Sequence, residues 1–200
     1  GAGKSTFLRI ITGKLAPQSG QVLIDGVEMQ QILPDWWKAH YGYLSEDPYF
    51  LEETLHAYLG QWGGDDDSIS MALVQSGLKP LVDHLPRGVN TPLRDRRLTS
   101  LKIRKRIGLA GIIAKQPSLI VLDEPTAGLD PQTALIFYNF INRMIADQRT
   151  LIIATSDPII MKGAGHNIVI DDQGGLKPGL KNTSSRLEKA SSKLAKQEKP

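Results

Sequence analysis

One segment limits the fold of this chain more than any other: the uninterrupted apolar run at residues 119–122, which ends in Asp123 and Glu124. Such a run is typical of a parallel strand that is covered on both faces. Two further apolar runs, "TLIIAT" at residues 150–155 and "NIVID" at residues 167–171, follow later in the chain and are predicted to be strands as well. The sequence therefore predicts an α/β fold with a mainly parallel sheet as its core.

Two other parts accompany the predicted sheet. The segment "GQVLIDGVEMQ" at residues 20–30 has two short apolar runs around an Asp-Gly pair, which is a hairpin signal. The segment "YGYLSEDPYF" at residues 41–50 has the pattern of a strand that ends in a loop. Residues 51 to about 110 are mostly helical in pattern. We therefore expect a small antiparallel β part and an inserted helical subdomain beside the parallel sheet.

The chain opens with "GAGKST", which matches the end of the phosphate-binding pattern G-x-x-x-x-G-K-[ST]. In that pattern backbone N–H groups cradle phosphates, the Lys reaches the β and γ phosphates, and the hydroxyl binds Mg²⁺. Lys4 and Ser5 stand at those positions here. The first Gly of the pattern, and the strand expected before it, would lie before residue 1. The alternative interpretation is a Gly-rich turn that precedes a helix.

One helical pattern follows the Gly-rich loop, and another follows the apolar run that ends in Asp123 and Glu124. After the Gly-rich loop, apolar residues recur with helical spacing at Phe7, Leu8, Ile11 and Leu15. A helix that begins at such a loop directs its free N–H groups and the positive end of its dipole towards an anion. Later in the chain, Asp130 suits the N-cap of a second helix and Pro131 its first position. The apolar stripe predicted for that second helix consists of Phe137, Ile141, Met144 and Ile145.

Asp123 and Glu124 are carboxylates that could act on a nucleotide bound at the phosphate-binding loop. Ligands of open parallel sheets bind at the carboxyl ends of the strands, where the phosphate-binding loop should also lie. Asp123 is placed to hold Mg²⁺ together with Ser5, because Mg²⁺ prefers oxygen ligands. Glu124 can accept a proton from a water that attacks the γ phosphate. The alternative for an isolated Asp-Glu pair is a solvated strand end.

Three stretches taken together resemble the ATP-binding cassette (ABC) ATPase family: "GAGKST", "LIVLDEPTAGLD" and "TLIIATSDP". The resemblance runs from residue 1 to about residue 171, and "DHLPRGVNTPLRD" at residues 83–95 is similar to the exporter type of this family. It implies a P-loop NTPase fold and the cofactors ATP and Mg²⁺. It also implies that two cassettes pair head to tail, as a homodimer or heterodimer, and drive the helices of a transmembrane domain.

The resemblance assigns roles to individual residues. Asp123 is matched to the Mg²⁺ carboxylate, Glu124 to the general base, and Asp130 to the loop that touches the partner cassette. The phosphate loop is matched to Gly1, Ala2, Gly3, Lys4, Ser5 and Thr6.

The first departure of this sequence from the family lies in the loop after the predicted strand at residues 41–44. The family normally offers a Gln there to Mg²⁺ and to the attacking water, and Glu46 stands in its place. Glu46 can bind Mg²⁺ through oxygen, so we include it among the candidate metal and nucleotide ligands. Its charge beside Glu124 and the γ phosphate should weaken triphosphate binding, because like charges repel.

The family signature L-S-G-G-Q is also altered. Aligned without a gap, it falls on residues 99–103, where only Ser100 is retained. Leu101 and Lys102 replace the glycines that let the backbone approach the γ phosphate of the partner. We expect Ser100 and Lys102 to face the partner cassette, and Lys102 to place a cation near its phosphate. The alternative is a basic, solvated helix start.

A third departure concerns the residue after "LIIAT". The family usually has a His that contacts the γ phosphate, and this chain has Ser156. A hydroxyl is a shorter, neutral donor that cannot carry the positive charge of a His. Since Glu124 is retained, we expect a degenerate cassette that binds Mg-ATP and hydrolyses it slowly. The open alternatives are a soluble ABC ATPase and a non-catalytic regulatory cassette.

The composition adds limits to these expectations. Residues 177–200 hold seven Lys or Arg and two Asp or Glu, which gives this stretch more positive charge than the +3 of the whole chain. We therefore predict a nucleotide-binding domain at residues 1–176, with its helical subdomain at about 51–110, and a basic, disordered tail. The chain has no Cys, which excludes disulfides and Cys-based metal sites. The resemblance implies the cytoplasmic face of the cell (inner) membrane as its location, and we expect no nucleic acid as a partner.

Overall fold

The structure is a computed structural model that describes residues 3–62, 65–170 and 175–178. Its parallel sheet has three strands in the order β3-β4-β5, namely β3 (Tyr41–Leu44), β4 (Leu119–Asp123) and β5 (Thr150–Ala154). Tyr41 pairs with Leu119, and Leu119 pairs with Thr150, so the three strands begin at the same level. β4 lies in the middle and is buried, as the apolar run predicts. The predicted mainly parallel α/β core is confirmed.

The outer strand β5 is less buried than the sequence predicts. Thr150 is exposed and the other four residues of the strand are half-buried. Within the described residues β5 pairs only with β4, so its other edge has no strand beside it. An apolar run therefore does not by itself place a strand in the centre of a sheet.

The small antiparallel part is a hairpin of β1 (Leu23–Ile24) and β2 (Val27–Glu28). Asp25 and Gly26 at its turn have φ values of 50° and 83°. Both values are positive, as a two-residue hairpin turn of this kind requires. The predicted hairpin is confirmed.

Near the end of the described chain, β6 (Ile168–Ile170) pairs in antiparallel fashion with β7 (Leu176–Pro178). The strand β6 was predicted, and β7 was not. The predicted disordered tail begins at residue 177, but Lys177 and Pro178 belong to β7. The remainder of that tail, residues 179–200, lies outside the described residues.

Four helices separate β3 from β4: α3 (Leu55–Gly60), α4 (Asp66–Gln75), α5 (Lys79–Asp83) and α6 (Leu101–Lys115). Two short 3₁₀ turns, Met29–Gln31 and Gly88–Asn90, and the helix α2 (Pro34–His40) complete this half of the chain. α3 to α6 enclose a core of their own, whose buried members include Leu55, Leu59, Ile69, Leu73, Leu78, Val82, Leu98, Ile103 and Ile107.

The C-terminal half of α6 belongs to a second core, between the sheet and the helix α7 (Pro131–Ala146). Leu109 and Ile112 of α6 pack there with residues from the sheet and from α7, including Leu44, Ile120, Leu122, Phe137 and Ile141. α6 therefore continues five residues beyond the predicted end of the helical region at about residue 110, and it connects the two cores.

Two helices bear on three of the predictions. The helix α1 (Lys4–Ile11) ends before the predicted Leu15, because Gly13 adopts a left-handed φ of 73°. For α7, the predicted N-cap is confirmed, since the side chain of Asp130 accepts a hydrogen bond from Thr133 N at 2.9 Å. The predicted stripe of α7 is wrong at Ile145, which is about half exposed.

The last helix is α8 (Pro158–Gly163), with Asp157 as its N-cap. Among the described residues, no helix has both the length and the apolar character that crossing a membrane requires.

Candidate functional site

The structure brings the two principal motifs together at the carboxyl end of β4. α1 begins at Lys4, directly after Gly3, whose φ of 84° is left-handed. The Nζ atom of Lys4 lies 2.8 Å from Oε1 of Glu124. Lys4 therefore reaches the end of β4, where Asp123 also lies, although the two motifs are far apart in the sequence. Gly1 and Ala2 of the predicted phosphate loop lie outside the described residues.

Asp123 is a buried carboxylate with an unused oxygen. Only 2% of its surface is exposed. Its Oδ2 is 3.4 Å from the hydroxyl of Tyr43, which can donate weakly to it, while Oδ1 accepts no hydrogen bond from the described residues. Burial, together with the charge of Asp123, raises the pKa of Tyr43 to about 12, so the hydroxyl stays protonated at neutral pH.

This unused oxygen fits the predicted metal. Mg²⁺ in nucleotide sites is held by one or two carboxylates and by the phosphates, and not by an all-protein cage. Among the described residues, no group of three or more His, Asp or Glu could bind a metal by itself. A nucleotide-bound Mg²⁺ does not require such a group. The other two predicted ligands are the half-buried Ser5, in the first turn of α1, and the exposed Glu46, in the loop after β3.

Glu124 is held by two neighbouring residues besides Lys4. Its Oε2 accepts hydrogen bonds from the backbone N–H of Ser156 at 3.1 Å and from the Ser156 hydroxyl at 3.2 Å. The Thr155 hydroxyl lies 3.4 Å from the same oxygen. Burial raises the pKa of Glu124, but the Lys4 ammonium and the Ser156 N–H together outweigh it, so the net pKa lies below its usual value. Glu124 is therefore ionised at neutral pH.

Ser156 has a contact that the sequence does not reveal. It is expected to meet the γ phosphate, and in the structure both its hydroxyl and its amide donate to Glu124. The side chain itself is exposed, so it lies at the open side of the site. Its role as a nucleotide ligand stays a prediction, and its contact with Glu124 is an addition to it.

The residues expected to face a partner lie at the N-terminus of α6. Ser100 is the N-cap of that helix, and its exposed hydroxyl makes no capping bond to the first turn. Lys102 is exposed as well, and its Nζ is 4.0 Å from Oδ2 of Asp130. Leu101 lies against the loop before α7, where a Cβ added at Gly128 would be 3.1 Å from its Cδ2. Lys102 and Asp130 thus occupy one surface patch.

Sequence reasoning missed Lys105, which lies directly behind this site. The residue is in α6 and has no exposed surface. Its Nζ donates to the carbonyl oxygens of Glu124 at 2.6 Å and of Ala127 at 2.7 Å. The signal was available, because position 105 shares a helical face with the apolar residues 101, 108, 109 and 112. The neighbouring arginines made the segment look solvated.

Comparisons with known proteins agree with the family resemblance that the sequence motifs indicate. A family model described as "ABC transporter" matches residues 1–127. The chain is 29% identical over 177 residues to the ATP-dependent lipid A-core flippase of Bordetella avium (strain 197N), and the match covers 82% of this chain and 30% of that protein. It is 31% identical over 157 residues to YheH of Bacillus subtilis (strain 168), a probable multidrug resistance ABC transporter ATP-binding/permease protein, with 77% and 23% of the two chains covered.

Among solved structures, the fold matches that of a bacterial Atm1-family ABC exporter with ATP bound. The TM-score is 0.78 and the sequence identity is 25%, and the match covers all of this chain and 35% of the exporter chain. The chain thus spans a third or less of the length of the curated relatives described above.

Proposed function

This chain belongs to the ABC transporter family, and we propose that it is the ATP-binding part of an exporter in which ATP binding and slow hydrolysis drive movement of a substrate across a membrane. The family is one of ATPases, and an ATP-binding role follows from membership. Transport, hydrolysis rate and partners are part of the proposal.

A single observation supports the assignment of roles in the site most directly: the 2.8 Å ion pair between Lys4 and Glu124. A lysine at the start of a helix and an ionised carboxylate at the end of a buried strand meet where a triphosphate would lie. The unused oxygen of Asp123 lies one residue away.

The residues of this chain suggest an order of events. Phosphates attract Lys4 away from Glu124, since they carry more negative charge than one carboxylate. Glu124 then keeps its hydrogen bonds from Ser156 and is free to accept a proton from a water near the γ phosphate. Mg²⁺, when it is bound, neutralises charge on the phosphates, and Asp123 and Ser5 are the residues that would hold it, with Glu46 as a third candidate.

Replacements in three motifs suggest that hydrolysis is slow. Glu46 adds a negative charge near the phosphates, and Ser156 cannot carry a positive one. At the N-terminus of α6, Leu101 and Lys102 replace the two glycines of the family signature. Glycines at these positions let backbone N–H groups approach the phosphate bound to a partner cassette. Turnover below the range of about 1–100 s⁻¹ that is typical of kinases should result.

The remaining elements of the proposal concern organisation. We place the nucleotide-binding domain at residues 1–176, with a helical subdomain at about 51–110, and a basic tail after it. A second cassette faces Ser100, Lys102 and Asp130, and a transmembrane domain carries the substrate path. The domain lies at the cytoplasmic face of the membrane, and nucleic acid is not a partner.

The test compares the purified protein with its Glu124→Gln variant, and with Glu53→Gln as a control at an exposed carboxylate outside the site. We expect both variants to bind Mg-ATP. Turnover should fall about 100-fold or more in Glu124→Gln, because a general base contributes about 10²–10⁴-fold. It should not change in Glu53→Gln. Phosphate release and equilibrium binding of a fluorescent ATP analogue are the measurements.

Each other outcome contradicts a defined part of the proposal. Absence of ATP binding would overturn it as a whole. Equal turnover in the parent and in Glu124→Gln would remove Glu124 as the base and would favour a non-catalytic regulatory cassette. Parent turnover within about 1–100 s⁻¹ would show that the altered motifs do not slow hydrolysis. Recovery of the protein with ribosomes and not with membranes would favour a soluble ABC ATPase.

A further inference from the structure

Lys105 is a buried ammonium whose hydrogen bonds go to one short stretch of backbone. Its two acceptors, the carbonyl oxygens of Glu124 and Ala127, bracket the turn that follows β4. Within this turn, Ala127 N also donates to Glu124 O at 3.2 Å. An ammonium has three N–H donors, so two of the three are used on this turn. We call residues 124–127 the Glu124 turn.

The Glu124 turn has a backbone that needs support. Glu124 has a φ of 42°, a left-handed value that a residue with a side chain rarely adopts. Such a conformation persists only where the surroundings enforce it. Two contacts do so here. Glu124 N donates to Ala154 O of β5 at 2.8 Å, and the Lys105 ammonium donates to the carbonyl oxygen of Glu124.

The surroundings of Lys105 explain how a charge can be buried at this place. Burial lowers the pKa of Lys105, while the nearby carboxylates of Glu46, Glu124, Asp123 and Asp47 raise it, in that order of importance. Glu46 is the first of these, and it is also the residue whose charge is unfavourable for a triphosphate. A buried cation is tolerated where opposite charges and hydrogen-bond acceptors surround it.

The helix that carries Lys105 also carries the predicted partner-facing residues. Ser100 and Lys102 lie within two turns of Lys105 at the N-terminus of α6. The side chain of Lys105 therefore forms a direct link from the surface that would meet a second cassette to the backbone of the predicted base. Among the described residues, no other hydrogen bond joins α6 to Glu124.

We propose that Lys105 is a positioning residue, which sets the backbone of Glu124 through its two carbonyl contacts and so transmits the position of α6 to the base. The inference rests on the proposed function for the role of Glu124. The link between Lys105 and the Glu124 turn does not depend on that role.

The test replaces Lys105 by Met, which keeps the length and apolar body of the side chain but removes the ammonium donor from both carbonyls. Lys115→Met is the matched control, because Lys115 is a half-buried lysine at the other end of α6 that also donates to a carbonyl, Lys38 O. Hydrogen exchange, ATP affinity and single-turnover hydrolysis are measured on the full protein.

In Lys105→Met we expect backbone amides around the Glu124 turn to exchange at least about tenfold faster, with the rest of α6 as in the parent. The rate of hydrolysis should fall at least about tenfold, and the Kd for Mg-ATP should change less than about threefold. Lys115→Met should leave the exchange of the turn and the rate of hydrolysis as they are in the parent. A residue that only stabilised the fold would not separate rate from affinity in this way.

Lys105→Gln keeps the test decisive if the Met variant does not fold. Its amide has two N–H donors, so we expect values between those of the parent and those of Lys105→Met. Parent-like exchange of the Glu124 turn in a folded variant would overturn the proposal, and so would faster exchange throughout the domain. If the parent neither binds nor hydrolyses ATP, the proposed function fails, and the exchange data still decide whether Lys105 holds the turn.

Discussion

Glu124 shows, at the scale of the residue, which properties of a site can be derived from sequence and which cannot. Its position after a buried strand predicts a carboxylate at the carboxyl end of the sheet, and the structure confirms that position. The ion pair with Lys4 and the two hydrogen bonds from Ser156 could not be predicted. They depend on where separate loops lie relative to one another, and spacing along the chain does not contain that information.

A second carboxylate, Asp157, joins three parts of the chain near the site. It accepts hydrogen bonds from Thr126 Oγ1 at 2.7 Å, Tyr138 Oη at 2.6 Å and Ile159 N at 2.8 Å. Burial raises the pKa of Asp157, but the hydroxyls of Tyr138 and Thr126 outweigh it and lower the pKa overall. The ionised form is therefore the one that the folded protein stabilises.

This lowered pKa predicts how stability depends on pH. Because the pKa of Asp157 is lower in the folded than in the unfolded chain, its contribution is present above about pH 4 and is lost as the pH falls through the folded pKa. We expect Asp157→Asn to cost about 1 kcal/mol at pH 7, since the group is partly exposed, and much less near pH 3. Urea unfolding at both pH values measures the difference.

Asp35→Asn is the control, because the side chain of Asp35 is almost fully exposed. It should leave the free energy of unfolding unchanged within about 0.5 kcal/mol at either pH. A loss in Asp157→Asn that is as large at pH 3 as at pH 7 would show that the charge of Asp157 is not responsible.

At the scale of the element, α6 connects the helical core to the sheet. Its close approach to both neighbours depends on two glycines, since a Cβ at Gly108 would lie 2.4 Å from Leu44 Cδ1 and one at Gly111 would lie 2.5 Å from Tyr58 Oη. The start of α6 agrees with the matched signature, and its extension to Lys115 was missed. Lys105 shares a helical face with apolar residues, but the arginines on either side of it obscure that pattern.

Gly111→Ala tests this packing. In a free helix the change would stabilise by about 1 kcal/mol, because Ala is the better helix former. Here the methyl group would also lie 2.8 Å from two ring carbons of Tyr58, and overpacking of this kind costs about 1–3 kcal/mol. We expect a net loss of about 1 kcal/mol in the free energy of unfolding, measured by chemical denaturation.

Gly165→Ala is the matched control for this substitution. A Cβ at Gly165 has no atom within 4 Å among the described neighbours, and Gly165 is not one of the glycines with positive φ. Its stability should stay within about 0.5 kcal/mol of the parent. A gain in stability for Gly111→Ala would mean that α6 and Tyr58 are further apart than the structure places them.

At the scale of the whole molecule, the sequence predicts the classes of its parts better than their arrangement. The parallel core, the hairpin and the helices between β3 and β4 follow from local patterns of apolar residues and turns. The half-exposed β5 and the pairing of β6 with β7 do not, because strand partners are chosen by tertiary contacts. The same limit applies to the two carbonyl acceptors of Lys105, because they lie in a separate part of the chain.

The central claim is that Lys4 and Asp123 serve one magnesium-bound triphosphate. The most direct measurement is the affinity for ATP, with and without Mg²⁺, of Lys4→Met, Asp123→Asn and the control Lys79→Met, a half-buried lysine that pairs with Asp83. In Mg²⁺ we expect both site variants to bind at least about tenfold more weakly than the parent and the control. In EDTA only Lys4→Met should differ from the parent. Parent-like affinity of Lys4→Met for Mg-ATP would contradict the account.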